Sequence, residues 1–356
     1  MNVSSSANAT VRGTVLVVLF GGLLLQILYA PVRPAAAQEP PVTWSAIDAS
    51  GPAARWDHTL SADPVTGSLI LFGGRDAAGA PLGDSWVYAV EDDSWALLEG
   101  PAPAPRFGHA VAIDTEHRAL YLFGGQADGA TFFNDTWRFD LDARSWSEVP
   151  TGADRPSPRY GTSAVLDGEG TLLVSHGFTF EGRFDDTWSL DPKSGIWTDV
   201  SPASETRPLK RCLHEAVWDA GQHRMLLYGG CSSGFGPCPQ GDLWAFDPAG
   251  RTWTDLTPSA SPAARSNPAL VRDDENSVIR LIDGLTEAGY TAELWTLDLT
   301  GEAPAWVESS QGSVVPEPRA SHDATILDGD IYLFGGNSNL GPLADFWVLD
   351  GQVLAG

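Results

Sequence analysis

Short runs of aliphatic, β-branched and aromatic residues, bounded by Asp, Gly and Pro, follow one another along nearly the whole chain, and no segment sustains a helical period. Residues 109–113, 119–123, 136–140 and 145–149 show the unit: four predicted strands, tight turns at Asp114-Thr115 and Asp142-Ala143, and one long connection over residues 124–135. The unit recurs. Trp44, Trp95, Trp146, Trp197, Trp253 and Trp306 stand 51, 51, 51, 56 and 53 residues apart. Trp86, Trp137, Trp188, Trp244, Trp295 and Trp347 keep a similar period, so two series take up all but two of the 14 tryptophans. Arg55, Arg106, Arg159, Arg211, Arg265 and Arg319 form a third series. Between each Arg and the next second-series Trp lies a glycine pair: Gly73-Gly74, Gly124-Gly125, Gly229-Gly230 and Gly335-Gly336, with degenerate versions at Gly177-Phe178 and Asp283-Gly284.

A four-stranded unit of this size cannot bury both of its faces alone, so the copies must stack face to face. The expected architecture is all-β: a six-bladed β-propeller with four antiparallel strands per blade and indoles filling the wedges between blades. The last copy stops after its third strand, whereas Val42-Thr43-Trp44 stands unattached before the first Arg. The N-terminal strand around Trp44 is therefore expected to complete the last blade and remove the open edges.

These motifs resemble the kelch repeat. The resemblance rests on Pro-Arg-Phe-Gly-His at 105–109, Tyr-Leu-Phe-Gly-Gly at 121–125, Asn-Asp-Thr-Trp at 134–137 and the closing Ser145-Trp146, and it spans about residues 41–350. It implies a kelch-type propeller of the secreted bacterial or galactose-oxidase-like sort, a scaffold that hosts many functions.

Arg12 precedes an apolar run over residues 14–30, and Pro31 and Pro34 break it before Ala35-Ala36-Ala37. That is the pattern of a signal peptide over residues 1–37, with an uncleaved membrane anchor as the alternative. Residues 38–356 then form one propeller domain, secreted, periplasmic or on the cell surface and without membrane insertion after cleavage; a monomer is expected. The net charge of −25 (21 Lys+Arg against 46 Asp+Glu) repels phosphate backbones, which argues against nucleic acid as a partner.

Candidate chemistry is sparse. Asp84, Asp135, Asp186, Asp242, Glu293 and Asp345 precede the second-series Trp by two positions and recur with the arginines, which suggests a repeated Arg–carboxylate pair of the scaffold. His58, His109, His214 and His322 lie three residues after a repeated Arg. A hydrogen bond inside each blade is expected for them in preference to a metal site, and no cofactor is implied. Cys212, Cys231 and Cys238 all fall in the fourth unit, where one disulfide is expected. Cys231–Cys238 is the first choice and Cys212–Cys231 nearly its equal.

The connections between second and third strands, residues 75–83, 126–134, 179–185, 231–241, 285–292 and 337–344, vary most and should share one face with the start of each first strand. Trp56, Phe107 and Tyr160 follow the repeated Arg in the first three units, and Phe132, Phe133, Phe178 and Phe180 lie in or beside the connections of the second and third. Together they predict an aromatic sector that stacks on a glycan or a partner protein. Gly-x-Ser-x-Gly, P-loop, His-Glu-x-x-His and sialidase-type motifs are absent, so no catalytic residue is assigned. The expected function is a binding module for a protein or glycan; a carbohydrate-active enzyme, epimerase or oxidase-like, is the alternative.

Overall fold

The computed structural model describes residues 41–301 and 303–351; the predicted signal segment, residues 1–37, lies outside them. Six four-stranded antiparallel sheets follow in chain order. In blade one the strands are Thr59–Asp63, Ser68–Phe72, Ser85–Ala89 and Ser94–Leu98, each paired with the next. First strands of successive blades stand side by side, and that of blade six returns to that of blade one, so the sheets surround an axis. Burial follows from this stacking. The second strand, Ser-Leu-Ile-Leu-Phe in blade one, is covered on both faces and buried throughout, whereas the outer strand Ser145–Glu148 buries only Trp146.

The core is divided into six clusters, one in each seam between blades. Ile70 and Phe72 of blade one, for example, pack with Leu120, Leu122, Phe139 and Trp146 of blade two. The first-series tryptophans are the wedges: Trp146 meets Phe72 at 5.2 Å between ring centroids, Trp197 meets Phe123 at 5.1 Å, and Trp306 meets Tyr228 at 5.3 Å. The second series does something else. Each of its indole N–H groups donates to the carboxylate two residues earlier, as Trp137 does to Asp135 at 2.8 Å.

That carboxylate is one half of a buried ion pair. Arg106 grips Asp135 through both terminal nitrogens at 2.6 and 2.8 Å, and also donates to the carbonyls of Gly124 (2.9 Å) and Ala104 (3.0 Å). Four of the other five arginines repeat the arrangement, while Arg265 reaches Glu293 through one terminal nitrogen at 2.6 Å and turns the other to Thr291 Oγ1 at 3.3 Å; all six arginines are at most 1% exposed. Burial is the largest single influence and would raise the partner carboxyls, but the hydrogen bonds and charge of the arginine, together with the indole hydrogen bond, outweigh it and hold all six below their ordinary values.

Two expectations need correction. In blade three the residues at the glycine-pair position are His176-Gly177 (φ 57° and 117°), one place earlier than Gly177-Phe178; they match Gly73-Gly74 (65° and 94°) and Asp283-Gly284 (54° and 118°). The connections 179–185 and 285–292 are also not long loops. Leu172–Thr179 pairs with Gly182–Asp191, and Val278–Thr286 with Gly289–Asp298, each past a bulge at the glycine-pair site, leaving two-residue turns. The connection 337–344 of blade six is likewise a hairpin, Asn337–Ser338 against Gly341–Pro342 around a two-residue turn, and the Arg-to-acid separation carried this signal: 27, 28 and 26 residues in blades three, five and six, against 29, 29 and 31 in blades one, two and four.

The ring closes as expected. Trp44–Ile47 pairs antiparallel with Phe346–Leu349, Trp44 opposite Leu349, as the outer strand of blade six. Trp44 is 2% exposed and its indole donates to Gln311 Oε1 at 3.0 Å, while the Val42 amide donates to the Ser310 carbonyl at 2.9 Å. Trp44→Ala should therefore cost about 3–5 kcal/mol, read as a lowered midpoint in thermal or urea unfolding; an unchanged midpoint would refute closure by this strand.

Candidate functional site

Two residues after each repeated arginine the backbone turns inward with positive φ, at Asp57, Gly108, Gly161, Leu213, Asn267 and Ser321. These six residues form a belt. Each amide donates to the carbonyl of its counterpart one blade back, at 2.8–3.0 Å, and Asp57 donates to Ser321, so the hydrogen bonds run around the axis without a break. Only two members are glycine, yet Gly108 is strictly needed: a Cβ there would lie 2.1 Å from the Tyr160 ring, which crosses it from the next blade. The belt constricts the end of the axial channel nearest the connections between second and third strands.

Outside the belt lies the loop face. Trp56, Phe107, Tyr160 and Cys212 each pair through the backbone with the connection of their own blade, to Arg75, Gln126, Phe178 and Cys231. The Arg75 guanidinium sits 4.4 Å from the Phe107 ring centroid and 5.0 Å from that of Trp56, and it donates to Asp57 at 2.5 Å. Phe107 in turn meets Tyr160 edge-on at 5.6 Å. Phe132, Phe178 and Phe180 form a second cluster with centroids 5.2–6.3 Å apart, and Arg183 lies 5.3 Å from Phe178. Phe180 is 66% exposed, whereas Phe107 is buried. Phe133 stands apart from both groups, with its ring centroid 3.9 Å from the guanidinium of the scaffold arginine Arg106.

Cys231 and Cys238 form the disulfide, and Cys212 is a buried free thiol directly across from Cys231. The histidines do not bond within their own blades. His109 Nε2 meets Thr59 Oγ1 of blade one at 3.0 Å, and His214 Nε2 meets Ser163 Oγ of blade three at 2.7 Å, so these rings bridge seams. Burial first, and the neighbouring arginines second, push His58 and His214 down to about 3 and keep their imidazoles neutral.

Below the belt the first strands enclose an axial cavity of about 440 Å³. Four residues after each repeated arginine stand Thr59, Ala110, Ser163, Glu215, Ala269 and Asp323. The two acids flank Ala269 of blade five, and both line the cavity. Asp323 accepts the Leu60 amide at 2.7 Å and its own neighbour Ala324 at 2.8 Å, yet burial raises its carboxyl to about 7. Glu215 is pushed well above its ordinary value, by burial and then by Asp323. Neither acid was singled out from the sequence, although aligning the repeats on their arginines exposes both.

A carboxyl whose folded pKa exceeds its unfolded 3.8 favours the fold while protonated and loses that advantage as pH rises toward about 7. Asp323→Asn should thus gain stability relative to the parent chain between about pH 4 and pH 8, by about 2–4 kcal/mol, as measured by denaturant unfolding across that range. A pH-independent difference would rule this out.

The KLHDC2/KLHL20/DRC7 Kelch-repeats domain family matches residues 37–230 and 220–354. F-box/kelch-repeat protein At1g51550 of Arabidopsis thaliana is 31% identical over 71% of this chain and 56% of its own length. Adagio-like protein 1 of Oryza sativa subsp. japonica is 31% identical over 86% of the chain and 51% of its own length. Multiple epidermal growth factor-like domains protein 8 of Homo sapiens is 28% identical over 81% of the chain and 11% of its own length. The chain thus spans about half the length, or less, of these relatives. With six blades each carrying the arginine–carboxylate pair and its indole, the chain belongs to the kelch-repeat β-propeller family.

Proposed function

We propose that this protein is an exported binding module that holds a partner protein on its loop face, anchored by the Phe132–Phe178–Phe180 cluster. The observation that carries the reading is Phe180, two-thirds exposed beside two further rings, one of which, Phe178, has the Arg183 guanidinium 5.3 Å from its centroid. Clustered aromatics next to an arginine are the residue types that dominate protein interfaces. Kelch-repeat relatives bear such propellers inside longer chains, among them an F-box protein. A glycan stacked on the same rings is the second ligand class for this face. The alternative of a carbohydrate-active enzyme is favoured by the two cavity acids, which lie on the other side of the belt.

Export is supported by the apolar N-terminal run and by the Cys231–Cys238 disulfide, which suits an oxidising compartment. N-terminal sequencing of the mature protein is expected to begin at Gln38; a chain retaining residues 1–37 in a membrane fraction would replace cleavage with anchoring. For the loop face, Phe132→Ala combined with Phe180→Ala should leave thermal stability nearly intact. It should weaken ligand capture, on a glycan array or in a quantitative pull-down, by about tenfold or more. Undiminished capture would remove these rings from the site.

A further inference from the structure

We propose that blade four carries an internal thiol–disulfide exchange, in which Cys212 displaces Cys238 from Cys231 and so moves the free thiol from the interior to the loop face. The proposal rests on the three cysteines and their neighbours, independently of the partner reading given for that face.

The three sulfurs are unequally placed. Cys212 and Cys231 are buried, at 3% and 6% exposure, whereas Cys238 is exposed. Cys231 is bonded to Cys238, seven residues along the chain, and Cys212 is free. Cys212 faces Cys231 across two backbone hydrogen bonds: its amide donates to the Cys231 carbonyl at 3.1 Å, and the Cys231 amide donates back at 2.8 Å. Residues that exchange both bonds in an antiparallel pair stand about 5.5 Å apart at Cα and send their side chains to the same face. A disulfide spans that distance. Cys231 therefore has two partners within bonding reach.

Arg183, from blade three, adds a cation beside the sulfurs. Its Nη2 donates to Cys231 Sγ at 3.5 Å. Burial raises the Cys212 thiol, and the charge of the same guanidinium works against that. A neighbouring cation favours the thiolate, which is the attacking species. The step balances without an oxidant or reductant. Cys212 loses its proton, and the thiolate electron pair forms the bond to Cys231 Sγ. The Cys231–Cys238 bond breaks, and the Cys238 sulfur leaves with that pair and takes up a proton.

The product differs at the surface. Residues 232–237 are then closed by hydrogen bonds alone, such as the Ser232 amide to the Pro237 carbonyl at 3.1 Å, and an exposed thiol stands open to modification. Arg183 links this segment to the aromatic cluster. It donates to the carbonyls of Cys231 at 3.0 Å and Ser233 at 2.6 Å, while its guanidinium lies 5.3 Å from the Phe178 centroid.

Trapping with N-ethylmaleimide tests the exchange. The full chain, purified without reductant, is incubated with the reagent in mildly alkaline buffer, quenched in acid and mapped as non-reduced peptides. The expected result is label on Cys238 together with a Cys212–Cys231 linkage, at a rate unchanged by urea well below the unfolding midpoint. Label on Cys212 with Cys231–Cys238 intact, no label, label on all three cysteines, or a rate that climbs with urea would each overturn the proposal. Cys212→Ser should lose the Cys238 label altogether; labelling that persists there would also overturn it. Cys238→Ser, at an exposed position, gives a direct check of reach: with glutathione disulfide it should form Cys212–Cys231, and two lasting free thiols would refute the exchange.

Discussion

Each blade depends on one buried guanidinium. Its five N–H donors are shared among a carboxylate, a glycine-site carbonyl and a carbonyl two residues upstream, so the arginine ties together the entry to the first strand, the end of the second and the start of the third. An indole N–H donates to the same carboxylate from the third strand. Buried ion pairs contribute little when compared with hydrophobic replacements, but breaking one leaves a charge stranded in the interior. The role of this pair is to fix geometry: it sets where the backbone leaves each blade toward the axis, and the six exits meet as the belt.

The belt divides the molecule's chemistry in two. On its outer side the connections between second and third strands differ in length and composition, from the two-residue turns of blades three and five to the disulfide-closed segment of blade four. On its inner side the first strands line the axial cavity, with the acids Glu215 and Asp323 among the lining residues. Because the belt is made of backbone groups, side chains can vary on either side of it without disturbing the other.

Much of this was legible in the sequence because it is written in side chains at fixed intervals. The arginine, acid and tryptophan series specify the number of blades, the ion pairs and the wedges, and the lone Trp44 announces the closing strand. Other features resist such reading for physical reasons. The belt depends on φ angles and peptide hydrogen bonds, and it accepts Asp, Leu, Asn and Ser as well as Gly, so no residue type marks it. The histidine partners lie in neighbouring blades, at a position where Thr59 and Ser163 are unremarkable in their own strands. His176 stands where four of the blades have glycine, which moved the apparent register of blade three by one residue. Of the seven aromatic residues expected to form a ligand sector, six lie along the loop face of the first three blades, and Phe133 is taken up by the scaffold.

The pairing of Trp44 with the far end of the chain has a consequence for how the molecule is assembled. Blades one to five are meanders of neighbouring strands and can form in the order in which the chain emerges. Blade six cannot, since one of its strands is the first to appear and must wait for partners such as Gln311, 267 residues later. The entropy of closing so large a loop grows only slowly with its length, but the search is slow compared with local pairing. Until it ends, the chain carries an arc of finished blades with an unpaired strand at one edge and a bare tryptophan at the other, which makes the last seam the one most open to mispairing with another copy.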